Sequence, residues 1–111
     1  MNQIENVDVA RAKQVLADGG LLLDVREDSE WDAGHAATAQ HVALSSVPDV
    51  IAELPRDRVI VVVCRSGGRS TRAGNYLLEQ GFDAVNLEGG MIAWHEAGAP
   101  IVSDHGEPTV A

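Results

Sequence analysis

The sequence predicts an α/β fold: one parallel sheet with helices on both faces. Two observations carry this. Short apolar runs without alternation recur along the chain, and they alternate with segments of helical periodicity, most of which end near glycine. The run "VIVVV", residues 59–63, is the clearest strand, being rich in β-branched residues and bounded by turn signals.

The elements follow in order. Asp8 is placed to cap a helix from Val9 to about Asp18, with Ala12, Val15 and Leu16 on one face and Gly19-Gly20 stopping it. "LLLDV", 21–25, reads as a strand buried on both sides. A polar, acidic loop holding Trp31 follows. "HVAL", 41–44, reads as a short strand, and Pro48 to Leu54 as a short helix ended by Pro55. After 59–63 the period turns helical from Ser70 to Gln80, and Gly81 ends it. "AVNL", 84–87, is the last strand. Gly89-Gly90 then opens a helix running through Trp94 to Ala97, closed by Gly98 and Pro100.

A chain of 111 residues suits one domain, placed at 1–102 with a loosely held tail at 103–111. Aromatic residues make up only 4%, so aliphatic side chains must fill the core. A net charge of -9 argues against nucleic acid or an anionic membrane as partner. There is neither a secretory-signal pattern nor an apolar stretch of membrane-spanning length, and the single cysteine rules out an internal disulfide. A free thiol suits a reducing compartment, so a cytoplasmic location is expected.

That cysteine stands in "VCRSGGRS", 63–70, between the strongest strand and a helix start. In parallel α/β sheets, ligands sit beyond the carboxyl ends of the strands, where Cys64 falls. Gly67 and Gly68 permit a tight turn whose successive N–H groups converge on an anion. The following helix start adds unpaired N–H groups and a positive dipole end. Arg65, Arg69 and Arg72 add charge, and no acid occurs from Cys64 through Leu78. Such surroundings favour thiolate over thiol and bind oxyanions. The residues therefore predict a nucleophilic cysteine acting on an anionic substrate, with sulfur and phosphate chemistry both open.

At this point the chain resembles the rhodanese-like sulfurtransferases. "CRSGGRS" resembles their active-site loop, "LLLDVREDSEWDAGH" their LLDVR…E-(Y/W)…GH segment, and "LEGGMIAWHEAGAP" their closing GG…W…G-x-P segment. The resemblance implies a five-stranded parallel sheet flanked by helices. It implies that Cys64 takes sulfur from a donor such as thiosulfate, forms a persulfide, and passes the sulfur to cyanide or a thiol, including a thiol protein. It also implies that the main chain from Arg65 through Ser66, Gly67 and Gly68 to Arg69 cradles the donor, with Arg65 and Arg69 assisting its charge. No metal or organic cofactor is expected, and the protein is expected to be monomeric, with a dimer left open.

The rival is a thiol phosphatase or arsenate reductase. Four residues separate Cys64 from Arg69, where the phosphatase loop has five, so the shorter loop favours sulfur. A non-enzymatic binding module is disfavoured by the intact loop. In place of the family's GHIPGA turn the chain reads "GHAATA", with Ala37 and Thr38 at the usual proline and glycine.

Asp24 and Arg26 are read as structural ties, with Arg26 pairing with Glu30 or Asp32. His35 and His41 are read as structural rather than as a base for Cys64, since a thiolate held by amides needs none. Trp31 and Trp94 are assigned to core packing, and Gly89-Gly90 to a tight turn close to the cysteine loop. His95 and His105 lack any ligand pattern, so a metal site is not expected.

Overall fold

The central strand β5 (Ile60–Val63) is buried at every position, as its unalternating sequence requires. In the computed structural model, which describes residues 3–111, it is the middle of a five-stranded, all-parallel sheet in the order β1-β6-β5-β2-β4. The other members are β1 (Glu5–Val7), β2 (Leu21–Asp24), β4 (Gln40–His41) and β6 (Ala84–Leu87). β2 and β5 pair in register, with Leu22 opposite Val61 and Leu23 opposite Val62.

Side chains alternate between two cores, one on each sheet face. Leu23, Ile60, Val62 and Ala84 pack with Ala73 and Leu77 of α3 (Gly68–Glu79), and with Val47 of a 3-10 segment, Leu44–Glu53. Leu22, Val61, Val63 and Leu87 pack on the other face with Ala12 of α1 (Val9–Ala17) and with Met91 and Trp94 of α4 (Gly90–Glu96). Each strand thus feeds both faces, which is why its hydrophobicity does not alternate. Cys64 belongs to the first core, directly beyond β5.

Several expectations hold. Asp8 caps α1 through the Arg11 N–H at 2.8 Å. Trp94 is buried, and its Nε1 donates to the Pro100 carbonyl at 3.1 Å. Others need correction. The acidic stretch after β2 is a helix, α2 (Asp28–Ala33), rather than a loop. Glu27 caps it and exchanges bonds with Glu30, a capping box with a carboxylate in place of the usual hydroxyl. The strand expected at 41–44 is the two-residue β4, and the helix expected at 48–54 is the longer 3-10 segment, with Pro48 inside it.

A separate antiparallel ribbon joins β3 (His35–Ala36) to β7 (Ile101–Val102). The turn after β3 closes by Ala39 N–H donating to the Ala36 carbonyl at 3.1 Å. Ala37 and Thr38 both have negative φ, so the turn forms without proline or glycine. Residues 103–111, expected as a tail, touch the domain at several points. Ser103 Oγ donates to the Asp32 carbonyl and Thr109 N–H to the Ala33 carbonyl, each at 2.9 Å, while Val110 packs against the second core.

Candidate active site

Cys64 ends β5, and the chain then turns through Arg65–Gly67 into α3. Gly67 has φ +125°, a region disfavoured for residues with a side chain, which lets its N–H swing onto Cys64 Sγ at 3.0 Å. Ser70, in the first turn of α3 and fully buried, brings its Oγ to 3.3 Å from the same sulfur. The thiol is 1% exposed, so these two donors lie in a nearly dry setting where each counts for more than in water.

Two opposing effects set the charge of Cys64. Burial pushes its pKa up. Hydrogen bonds from the Ser70 hydroxyl and from the Ser70, Gly67 and Ser66 backbones outweigh burial and hold it below the ordinary thiol value. The clustered arginines of the sequence predict a share of this effect for guanidinium groups. The donors at the sulfur are instead a hydroxyl and peptide N–H groups.

The arginines are engaged elsewhere. Arg69 grips Glu30 of α2 with both terminal nitrogens, Nη2 lying 2.8 Å from Oε2. That fork, opposed by desolvation, lowers Glu30 to about 2. Arg69 does sense the charge of Cys64. Arg65 is exposed, and its Nε donates to the Ala111 carbonyl at 2.9 Å. Arg72 is exposed on a different groove, lined also by Leu44, Pro48 and Tyr76. Ser66 and Gly68 are exposed at the rim of the loop.

The loop is held from below by α4. Met91 N–H donates to the Cys64 carbonyl at 2.8 Å, and Ile92 N–H to the Arg65 carbonyl at 3.1 Å. Gly90 has φ +60°, and a Cβ there would collide with the Cys64 and Arg65 carbonyl groups. The glycine pair therefore serves close approach as well as the turn.

The residues flanking the loop are structural ties. Arg26 and Asp24 are both fully buried and pair at 2.7 Å, and Arg26 also donates to the Glu30 and Gly34 carbonyls. Its ionic partner is thus Asp24, not Glu30 or Asp32. His35 Nδ1–H donates to the Trp31 carbonyl at 2.9 Å, and His41 Nε2–H to the Arg26 carbonyl at 2.7 Å. Both rings stack on Trp31, with centroids at 3.6 and 4.8 Å. Trp31 is therefore a half-buried stacking platform outside both cores. Among the described residues no His/Cys/Asp/Glu group is arranged to hold a metal, and no helix is long and apolar enough to cross a membrane.

Asn86 was not singled out by sequence. It stands 3% exposed in β6 with its amide 2.5 Å from Ser70 Oγ. A polar residue inside an otherwise apolar strand was the only signal available.

A parallel α/β sheet whose central strand ends in one cysteine, its sulfur met by a loop N–H and a helix hydroxyl, defines a thiol-loop α/β domain. The chain belongs to the rhodanese-like domain family, whose match covers residues 8–97. It is 40% identical over 106 residues to a protein of Allochromatium vinosum named sulfurtransferase, covering 93% of this chain and 99% of that one. It is 43% identical over 94 residues to YtwF of Bacillus subtilis, covering 83% and 91% respectively. The crystal structure of a rhodanese-related protein from Thermoplasma volcanium superposes with a TM-score of 0.82 at 31% identity, covering 88% of this chain and 97% of that one. That of a rhodanese-like domain protein from Staphylococcus aureus gives 0.76 at 28% identity, covering 96% and 99%.

Proposed function

We propose that this protein is a rhodanese-type sulfurtransferase in which Cys64 carries the transferred sulfur. Family membership and relatives at about 40% identity support the transferase reading. The observation that carries the Cys64 assignment is the Gly67 N–H donating to its sulfur, with the Ser70 hydroxyl within reach of the same atom, a setting that favours the anion over the thiol.

The cycle has two displacements. The Cys64 thiolate attacks the outer sulfur of thiosulfate. The Sγ–S bond forms, the donor S–S bond breaks, and sulfite leaves with the bonding electron pair. The terminal sulfur of the resulting persulfide keeps the negative charge, which the loop N–H groups of residues 65–69 are suited to hold. Cyanide or a thiolate then attacks that sulfur, forms thiocyanate or a new persulfide, and releases the Cys64 thiolate. Proton transfer is not required in either displacement, consistent with His35 and His41 being committed to carbonyls. The cycle requires neither metal nor organic cofactor. Its partners are a small sulfur donor and a thiophilic acceptor, met in the cytoplasm by a monomer.

Mass spectrometry of the intact protein tests this. Thiosulfate should add one sulfur to the wild type, cyanide should remove it, and Cys64→Ser should add none while keeping the wild-type circular dichroism. A wild-type protein that gains no sulfur, or a Cys64→Ser variant that still turns over, overturns the assignment.

A further inference from the structure

Ser70 has one hydroxyl proton and three acceptors within reach: Cys64 Sγ at 3.3 Å, the Gly67 carbonyl at 3.2 Å and the Asn86 side-chain oxygen at 2.5 Å. The Gly67 carbonyl already accepts from Thr71 N–H at 3.0 Å and from Thr71 Oγ1–H at 2.7 Å, which uses both its lone pairs. The choice therefore lies between Asn86 and the sulfur. Asn86 in turn donates through Nδ2 to Asn6 Oδ1 at 2.9 Å. Asn6 and Asn86 are register partners on β1 and β6, and Asn6 is exposed to water.

This chain of groups runs in either direction. With the Asn86 oxygen toward Ser70, the hydroxyl proton goes to Asn86, and Ser70 Oγ faces the sulfur with lone pairs only, which suits a thiol. A half-turn of the Asn86 amide exchanges its oxygen and nitrogen. Asn86 then donates to Ser70 Oγ, Ser70 donates to the sulfur, and Asn6, free to turn in water, donates to Asn86. That order suits a thiolate, and each bond polarises the next toward the negative charge.

We propose that Asn86 is a positioning residue that sets the protonation state of Cys64 through Ser70, by the direction in which its side-chain amide points. On ionisation the Cys64 proton passes to solvent buffer, and the three side chains reverse their hydrogen bonds in concert. The charged groups near the sulfur act on it through space and not through Ser70. Arg69 of α3 is neutralised by Glu30 of α2, and Asp24 and Arg26 at the end of β2 are closed on each other. Arg65 of the loop is held by the Ala111 carbonyl. The inference rests on Cys64 reacting as a thiolate and not on which sulfur donor it uses.

An acceptor-only carboxylate freezes the chain in the thiol direction. Asn86→Asp holds the Ser70 proton directly. Asn6→Asp, at an exposed position where folding is not at stake, pins Asn86 with its nitrogen outward and its oxygen toward Ser70. The readout is the rate of Cys64 alkylation by iodoacetamide against pH, in Ser70 and Ser70→Ala backgrounds. Each Asp variant should raise the midpoint by about half a unit to one unit, or slow alkylation about three- to tenfold below the midpoint. At least half of that shift should vanish when Ser70 is Ala, because the route is cut. A shift that keeps more than half its size without the hydroxyl is a through-space charge effect and overturns the proposal, as does no shift in Asn6→Asp. Thiosulfate loading of the same wild-type sample separates this from the sulfur reading: a protein that alkylates as a thiolate but gains no sulfur overturns only the latter.

Discussion

Arg69 and Glu30 meet fork to fork although they are 39 positions apart in the chain. The pair ties the helix after the cysteine loop to α2, and it also occupies a guanidinium that senses the charge of Cys64. An arginine neutralised in this way attracts a small dianion less than a free one does. Glu30→Gln keeps an oxygen for the Glu27 N–H and removes the competing charge. The thiosulfate KM should fall about threefold with less than a twofold change in kcat, the scale of one partly exposed ion pair. Steady-state kinetics check this. An unchanged KM means that donor binding relies on backbone N–H groups alone.

The same pair predicts a pH dependence of stability. Arg69 lowers the Glu30 carboxyl from 4.5 to about 2. A carboxylate depressed by folding stabilises the protein above its unfolded pKa and loses that contribution as pH falls through the folded value. The stability difference between wild type and Glu30→Gln should be flat above about pH 5 and shrink between pH 4.5 and pH 2. Urea denaturation across that range measures it. A difference that grows on acidification would assign the pair the wrong sign.

Gly90 and Gly68 should respond oppositely to alanine. A Cβ at Gly90 meets the Cys64 and Arg65 backbone, and its φ of +60° disfavours any side chain, so the cysteine loop must move. Gly68 has open space around its Cβ position and lies within α3. Gly90→Ala should cost more than about 2 kcal/mol and abolish sulfur loading, whereas Gly68→Ala should be neutral or slightly stabilising. Thermal denaturation and intact mass distinguish the two outcomes.

These contacts show what the sequence could and could not convey. β5 was legible because four β-branched residues in a row fit only a doubly buried strand. β1 was not, because two of its three residues are exposed and it lies at the sheet edge. α2 was hidden by its composition: six mostly polar residues with a glutamate as cap resemble a loop. At the site, the cysteine, the glycines and the helix start are contiguous, so local physics placed the thiol and its amide donors together. The partners of the arginines come from elsewhere. Glu30 reaches Arg69 and Ala111 reaches Arg65 only through tertiary folding, so local charge clustering overstated the positive field at the sulfur. Asn86 is illegible in the sequence for the same reason, since its meaning depends on Ser70, 16 positions away.

The Asp24–Arg26 pair should behave unlike the Arg69–Glu30 pair, because both of its side chains are fully buried. Arg26 closes on both Asp24 oxygens and on the Glu30 and Gly34 carbonyls, fastening α2 and the start of β3 to the end of β2. Asp24→Ala leaves a guanidinium in a dry interior with only carbonyl acceptors, and should cost about 3–5 kcal/mol, well beyond the effect of Glu30→Gln. Replacing both partners with apolar residues, as in Asp24→Leu with Arg26→Met, should not recover the loss. The second change strips the Glu30 and Gly34 carbonyls of their donor, and a buried acceptor left without one costs about 1–3 kcal/mol. Urea midpoints of the single and double variants test both statements. A double variant as stable as wild type would show that the carbonyl contacts contribute nothing and that the ion pair serves only itself.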